Sequence, residues 1–341
     1  MLVHLDLFNN ELSGVLPPSI GNLGSLEELN LSINRISGEL PAFIGNLTNL
    51  RSLLLLSNNF FGEFPAFIGN LQSLESLDIR ECSFSGRIPL SLGNLTQLQW
   101  LVLASNNFLG ELPASIGGLR SLERLDASSC NFSGPIPPSL GQMLSYNKIP
   151  YILTAVILSS NRFHGEIPTS IANLKGLQVL SLANNNLEGH IPSCFGDLTK
   201  LESLDLSNNW FSGQIPQQLT GLTFLEFFNV SHNNLTGPIP EENQFPTFDN
   251  NSFDGNSGLC GKPLFKECEN SEAPANEDQI AGSKALFSGA FDWEIVLIGY
   301  AGGVVAGLVL GFNFSTGIVG WFLEKLGMLQ KTRRKKRRRR N

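Results

Sequence analysis

The sequence is poor in charge and in the residue types that build catalytic or metal sites. Only 16% of its 341 residues are charged, and it has 4 histidines and 5 cysteines. The histidines fall at unrelated positions of the chain, so they suggest neither a zinc site nor a catalytic triad. No phosphate-binding, dinucleotide-binding or kinase motif is readable. The sequence therefore predicts neither an enzyme nor a cofactor.

Long helices and disorder are excluded as well. The 34 glycines and 18 prolines are spread too densely for a helical bundle, and 42% hydrophobic residues are too many for a disordered chain. The net charge is 23 − 30 = −7, but nine of the 23 basic residues fall within 331–341, which leaves 14 − 30 = −16 on the rest. The chain is thus an acidic body with a basic tail.

A ten-residue pattern recurs along the chain with a period of 24. It begins at 5–14 and returns at 29–38, 53–62, 77–86, 101–110 and 125–134, and then, after an irregular stretch, at 156–165, 180–189, 204–213 and 228–237. A proline stands three residues after the glycine that ends each copy. Ten copies in register indicate a repeat architecture.

Each copy contains a Leu-x-Leu alternation, which is typical of a short strand with one buried face. An asparagine follows five residues after the first leucine in eight copies, and its amide is expected to bond the backbone of the turn. These asparagines are Asn10, Asn34, Asn58, Asn106, Asn161, Asn185, Asn209 and Asn233. Cys82 and Cys130 take that place in the other two copies, where we expect buried free thiols.

Residues 36–47 match the signature Leu-x-Gly-x-Ile-Pro-x-x-Ile-Gly-x-Leu closely, and the chain therefore resembles the plant-specific leucine-rich repeats. The resemblance implies a solenoid with short parallel strands on a concave face and 3-10 helices or loops on the convex side. Copies one to six cover 1–141, and copies seven to ten cover 155–242.

The segment 142–154 interrupts the repeat, because the step from Cys130 to Asn161 is 31 residues and therefore seven longer than the period. It resembles the remnant of the island that precedes the last four repeats of plant receptor-like proteins. The alternative is a simple loop insertion. The segment 243–268 resembles the C-terminal cap of that family, which implies a disulfide between Cys260 and Cys268 and leaves Cys194 as the odd cysteine.

A membrane anchor is predicted near the C-terminus. An acidic spacer, 269–294, precedes 29 uncharged residues at 295–323, which exceed the roughly 20 needed to span a bilayer. The basic tail 324–341 then predicts a single-pass plasma-membrane protein with its repeats outside the cell. We interpret the basic run as an anchor to anionic lipids rather than a nucleic-acid site.

Four glycines of this span recur every four residues and predict a helix interface. They are Gly299, Gly303, Gly307 and Gly311. The resemblance implies a partner for this interface and for the C-terminal repeats, since receptor-like proteins lack a kinase and pair with receptor kinases.

At positions expected on the concave face, copies three to six differ from the small polar residues common in the other copies. These differences predict a ligand-binding surface. Its residues are Arg51, Leu54, Leu56, Arg80, Glu81, Trp100, Val102 and Arg124. The alternative is that scattered apolar surface residues need no explanation. Seven Asn-x-Ser/Thr acceptors also predict a glycosylated ectodomain, although Asn and Ser are common in the repeat. They are Asn30, Asn46, Asn94, Asn131, Asn229, Asn234 and Asn250.

By resemblance, the chain is a cell-surface receptor-like protein that binds an extracellular peptide, protein or glycan and signals through a partner kinase in defence or development. One alternative is an extracellular binding protein of the polygalacturonase-inhibitor type. Another is a shortened gene product, because Met1 begins inside a strand with no signal sequence before it.

Overall fold

The computed structural model describes residues 1–142 and 153–268. It confirms the predicted solenoid, in which each repeat forms one coil, and we number the coils one to ten. The ten-stranded parallel sheet on the concave face contributes one strand per coil. With strands numbered in chain order over the whole structure, these are β1 (His4–Asp6), β3 (Glu28–Asn30), β5 (Ser52–Leu54), β7 (Ser76–Asp78), β9 (Trp100–Val102), β11 (Arg124–Asp126), β13 (Ala155–Ile157), β15 (Val179–Ser181), β17 (Ser203–Asp205) and β19 (Phe227–Asn229).

A second parallel sheet of eleven strands, which the sequence analysis did not predict, runs beside the first. Its strands are β2 (Ser13–Gly14), β4 (Arg35–Gly38), β6 (Asn59–Glu63), β8 (Ser83–Gly86), β10 (Asn107–Gly110), β12 (Asn131–Gly134), β14 (Arg162–Gly165), β16 (Asn186–His190), β18 (Trp210–Gly213), β20 (Asn234–Pro238) and β21 (Gly258–Cys260). The signal was present in seven of the ten copies, because the residues after the asparagine or cysteine alternate polar and apolar there with a period of two.

One 3-10 helix per coil faces the convex side in coils one to nine, and two more lie in the C-terminal cap. They span Pro18–Asn22, Ala42–Asn46, Ala66–Asn70, Leu90–Asn94, Ala114–Gly118, Pro138–Gln142, Thr169–Asn173, Ser193–Asp197, Gln217–Gly221, Phe245–Thr247 and Asn250–Ser252. The repeat glycine inside these helices permits close stacking. A Cβ at Gly93 would lie 2.3 Å from the carbonyl oxygen of Ser115 in the next coil.

The register of the sheets does not slip at the irregular segment. Leu29 pairs with Leu53 one period later, and Leu125 pairs in the same way with Val156 across the longer step. The strands on either side of the irregular segment therefore pair in register, while residues 143–152 lie outside those described.

The core is a continuous stack of leucine, isoleucine and phenylalanine rows. Phe60, Phe84, Phe108, Phe132 and Phe163 repeat at one position of successive coils, and all five are fully buried. Their rings stack between neighbouring coils. The ring centroids are 6.1 Å apart for Phe60 and Phe84, 5.8 Å for Phe108 and Phe132, and 6.2 Å for Phe132 and Phe163. Truncating such a phenylalanine to alanine typically costs about 3–5 kcal/mol, so this column stabilises the middle coils.

The asparagine ladder bonds each coil to the one before. The amide nitrogen of Asn58 donates to the carbonyl oxygens of Leu31 and Leu55, both at 2.9 Å, and its amide oxygen accepts from the backbone of Ile36 at 3.1 Å. Asn256 in the cap makes the same set of bonds, which the sequence analysis missed.

The two cysteines that replace ladder asparagines are free thiols in the structure. Cys130 is buried as predicted, whereas Cys82 is only half-buried. Burial raises the pKa of each thiol to about 11.

The cap closes the last coil with aromatic residues. Phe245, Phe248 and Phe253 surround Phe228, with ring centroids 5.1, 5.5 and 5.9 Å from its ring. A disulfide joins Cys260 to Cys268 with a Cα–Cα distance of 5.0 Å. No helix among the described residues is long and apolar enough to cross a bilayer, and the predicted spacer, span and tail lie outside those residues.

Candidate ligand-binding face

The predicted ligand-binding residues lie on neighbouring strands of the concave sheet. Trp100 pairs directly with Arg124. Each is the first residue of its strand and faces outward, and the equivalent residues of neighbouring strands form a line across the sheet that we call the first row. Leu54 and Val102 lie in the second row with Asp78 between them. Adjacent strands are about 5 Å apart, so one ligand can contact several of these side chains at once.

Two aspartates, which the sequence analysis missed, pair with the predicted arginines. A guanidinium nitrogen of Arg80 lies 3.1 Å from the carboxylate of Asp78, and one of Arg124 lies 3.3 Å from that of Asp126. Burial raises the pKa of Asp78, and Arg80 opposes that rise. The sequence indicates both ion pairs, because the aspartate and the arginine of each pair are two positions apart. In an extended chain this spacing places both side chains on the same face.

Arg51 and Glu81 also have polar partners within the face. The guanidinium of Arg51 donates to Glu75 in the next coil, with Nε at 3.0 Å, and this bond raises the pKa of Arg51. The hydroxyl of Ser57 donates to the carboxylate of Glu81. Charged groups on this face are therefore largely paired, and a ligand would meet ion pairs and apolar side chains rather than bare charge.

Val102 differs from the expectation of an exposed side chain. It lies on the concave surface, outside the main core cluster, but is only 8% exposed. Its neighbours in the row are Asp78 and Asp126, whose strands lie on either side. This short side chain is largely covered, so Val102 supports the surface rather than contacting solvent.

The predicted glycosylation acceptors divide by exposure. Asn46, Asn94 and Asn234 are exposed, whereas Asn30, Asn131, Asn229 and Asn250 are partly buried. Asn30 and Asn229 lie on concave strands, and the side-chain oxygen of each accepts a bond from the backbone two residues later, at 3.1 and 3.0 Å. The predicted stripe of glycines at 299–311 lies outside the described residues.

Within the described part of the chain, no group of three or more His, Cys, Asp or Glu side chains is placed to hold a metal ion. On the concave face, the Arg80–Asp78 and Arg124–Asp126 ion pairs lie in the coils on either side of Trp100.

Comparison with known proteins agrees with this architecture. The sequence profile described as "Leucine-rich repeat region" matches residues 1–99, and related leucine-rich repeat profiles match 97–119, 121–143, 153–211 and 224–245. Receptor-like protein 49 of Arabidopsis thaliana is 59% identical over 172 residues, which is 50% of this chain and 20% of that protein.

Solved ectodomains share the fold. That of the plant membrane receptor kinase GASSHO1/SCHENGEN3 from Arabidopsis thaliana, in complex with CASPARIAN STRIP INTEGRITY FACTOR 2, superposes with a TM-score of 0.74 at 36% identity and covers 79% of this chain and 31% of its own. The Arabidopsis receptor kinase HAESA, in complex with the peptide hormone IDA and the co-receptor SERK1, gives a TM-score of 0.58 at 34% identity, with 76% and 50% covered.

Repeat, fold and matches together define a leucine-rich-repeat solenoid. More particularly, the chain belongs to the plant leucine-rich-repeat receptor-like proteins. It spans 20% of the length of the relative described above.

Proposed function

We propose that the protein is a cell-surface receptor-like protein that binds an extracellular ligand on the concave face of coils three to six. The observation that carries the proposal is the column formed by Trp100 and Arg124 with the ion pairs around them. Aromatic and arginine side chains on a rigid surface are the groups most enriched in binding hot spots.

The ligand class we favour is a peptide. Two structural neighbours were solved with a bound factor or peptide hormone. Their repeats share the parallel concave strands of this chain, and an extended peptide lying across those strands contacts one coil about every 5 Å. By the same likeness we propose that the protein acts by recognition in defence or development, and not as an enzyme.

Signalling is proposed to pass through a partner receptor kinase. HAESA was solved with a co-receptor, and the glycines at 299, 303, 307 and 311 would let a partner helix approach closely in the membrane. Replacing Gly303 and Gly307 by leucine is expected to weaken co-precipitation of the full chain with its kinase while membrane insertion is retained. Unchanged co-precipitation would remove this part of the proposal.

The ligand-binding proposal is tested with Trp100→Ala in plant cells that express the full chain. Peptide fractions from plant extracts and microbial filtrates are added, and cytosolic calcium is measured. We expect the response to be lost at normal protein abundance, because Trp100 lies outside the main core cluster. Val179→Ala is the matched control, since it truncates a side chain of the same row two strands beyond β11. A normal response from Trp100→Ala refutes the site.

A further inference from the structure

Trp210 differs from the other residues at its position on the second sheet. The first residues of the even-numbered strands from β6 to β20 form a line across this sheet, which we call the outer row. They are Asn59, Ser83, Asn107, Asn131, Arg162, Asn186, Trp210 and Asn234. All of them are polar except Trp210, whose side chain is 68% exposed. A large apolar ring therefore lies in water within a polar line.

Adjacent members of the outer row contact each other through their side chains. In coils five and six, the amide nitrogen of Asn131 donates to the amide oxygen of Asn107 at 3.1 Å. The same period of 24 separates Trp210 from Asn234. Both pairs of strands also have the same register, because the third residue of one strand pairs with the first residue of the next. The side chain of Asn234 therefore lies beside the ring of Trp210.

Asn234 begins the acceptor Asn-Leu-Thr, and its amide is free to carry a sugar. Asn234 and Thr236 are both exposed. Within the described residues, no hydrogen bond engages the side chain of Asn234. By contrast, the acceptor Asn131 at the same position of coil six is partly buried, and its amide is bonded within the row.

The other two exposed acceptors have no aromatic residue at the equivalent position of the preceding coil. Asn46 and Asn94 end convex 3-10 helices, and the residues one period before them are Asn22 and Asn70. Of these three acceptors, Asn234 alone follows an exposed aromatic residue by one period.

An indole ring and a pyranose sugar have complementary surfaces. The face of the ring carries negative partial charge and the axial C–H groups of the sugar carry positive partial charge, so the two attract each other in contact. The ring Nε1–H is a donor that can bond a sugar oxygen. A partner protein would instead need a contiguous apolar patch, whereas the row neighbours Asn186 and Asn234 are polar.

We propose that Asn234 carries an N-linked glycan whose first sugar lies over the ring of Trp210. The donor is a lipid-linked oligosaccharide diphosphate. A bond forms between Nδ2 of Asn234 and the anomeric carbon of the oligosaccharide, the bond from that carbon to the diphosphate oxygen breaks, and the lipid diphosphate leaves with the electron pair. Nδ2 loses one proton to solvent. The inference rests on the extracellular location of the repeats in the proposed function, but not on the ligand.

The experiment uses the full chain, expressed in plant cells and purified in detergent micelles. Glycopeptide mass spectrometry measures the occupancy of Asn234, which is expected to be glycosylated. A brief exposure to hydroxyl radicals, followed by peptide mass spectrometry, then measures the oxidation rate of Trp210. Asn234→Gln and Thr236→Val each remove the acceptor and are expected to raise that rate about twofold, because a sugar over one ring face covers roughly half of the exposed ring.

Asn94→Gln is the matched control, because it removes an exposed acceptor on the convex side. It should leave the oxidation rate of Trp210 unchanged, and Trp100 should oxidise at the same rate in all variants. The thermal midpoint gives a second, independent measurement. Trp210→Ala is expected to lower it more in the glycosylated protein than in the Asn234→Gln background, since only the former loses the contact with the sugar.

Equal oxidation of Trp210 with and without the acceptor overturns the inference, and an equal effect of Trp210→Ala in the two backgrounds does so as well. If Asn46 or Asn94 carries a glycan and Asn234 does not, this inference fails while the proposed cell-surface location stands. If none of the three is glycosylated, the proposed location fails with it.

Discussion

Cys82 takes in coil four the place that Asn58 holds in coil three. The sulfur of Cys82 lies 3.5 Å from the carbonyl oxygen of Leu55, the same oxygen that the amide of Asn58 approaches at 2.9 Å. A thiol is a weak donor and a weak acceptor, so the ladder between coils three and five is weakest at this point.

Restoring the ladder is expected to stabilise the solenoid. Cys82→Asn should raise the free energy of unfolding by about 1 kcal/mol, because each buried hydrogen bond contributes roughly that much. Urea unfolding of the two proteins measures the difference. The reverse change, Asn58→Cys, should lower the free energy of unfolding. If Cys82→Asn has no effect or destabilises the protein, the ladder does not link the coils as described.

The free thiols should differ in reactivity. With a pKa of about 11 for Cys82 and Cys130, only about one thiol in a thousand is ionised at pH 8, and the thiolate is the reacting form. Iodoacetamide should therefore modify Cys194 first, because it lines an open cavity of about 760 Å³ on the convex side. Peptide mass spectrometry of native protein measures the order. In urea all three should react alike, and equal rates in the native protein would contradict this account.

Replacing Asp205 by asparagine would remove a charge and keep the hydrogen bond that the side chain accepts from the backbone of Ser207. Its carboxylate accepts bonds from the hydroxyl and backbone of Ser207 at 2.7 and 3.1 Å, and burial raises its pKa. Asn30 accepts the equivalent backbone bond. Asp205→Asn should therefore raise the thermal midpoint at pH 7, where the wild type holds a partly buried carboxylate.

The pH dependence of the thermal midpoint tests whether the charge of Asp205 causes the difference. Because the folded-state pKa of Asp205 is raised, its protonation stabilises the wild type as the pH falls through that pKa, and the stability is lost again as the pH rises. The difference between the two proteins should thus shrink in acid. The substitution creates an Asn-Leu-Ser acceptor, so the measurement needs protein made without glycosylation. A difference that is independent of pH would exclude the charge as its origin.

The disulfide should stabilise the cap. Replacing both Cys260 and Cys268 by serine removes a crosslink over eight residues and is expected to cost about 2–3 kcal/mol. Hydrogen exchange should increase first in the cap and coil ten. Cys194→Ser is the control and should change neither. Mass spectrometry of non-reduced peptides would show whether the bond forms, and free thiols at both positions in secreted material would contradict the structure.

The repeat made most of the fold predictable. Leucine spacing, the asparagine position and the glycine-proline pair determine strand and turn in every coil and the 3-10 helix in coils one to nine, and their register was readable at all ten copies. The second sheet was not predicted because it lies outside the Leu-x-Leu strand pattern, although the alternation of polar and apolar residues at 83–86 and its equivalents indicated it.

The candidate site was less predictable, because exposure on a concave surface depends on neighbours that are 24 residues away. Trp100 and Arg124 were identified from their departure from consensus, but the burial of Val102 follows from the side chains of adjacent coils.

The stacking of Phe132 on Phe163 has a mechanical consequence. These rings meet across the longest step of the chain, and the strands on both sides pair in register there, as Arg124 does with Ala155. Since each coil bonds only to its neighbours, torque applied at one end is transmitted through every such junction. The coils that meet at this junction should therefore bend, twist and melt as one elastic body.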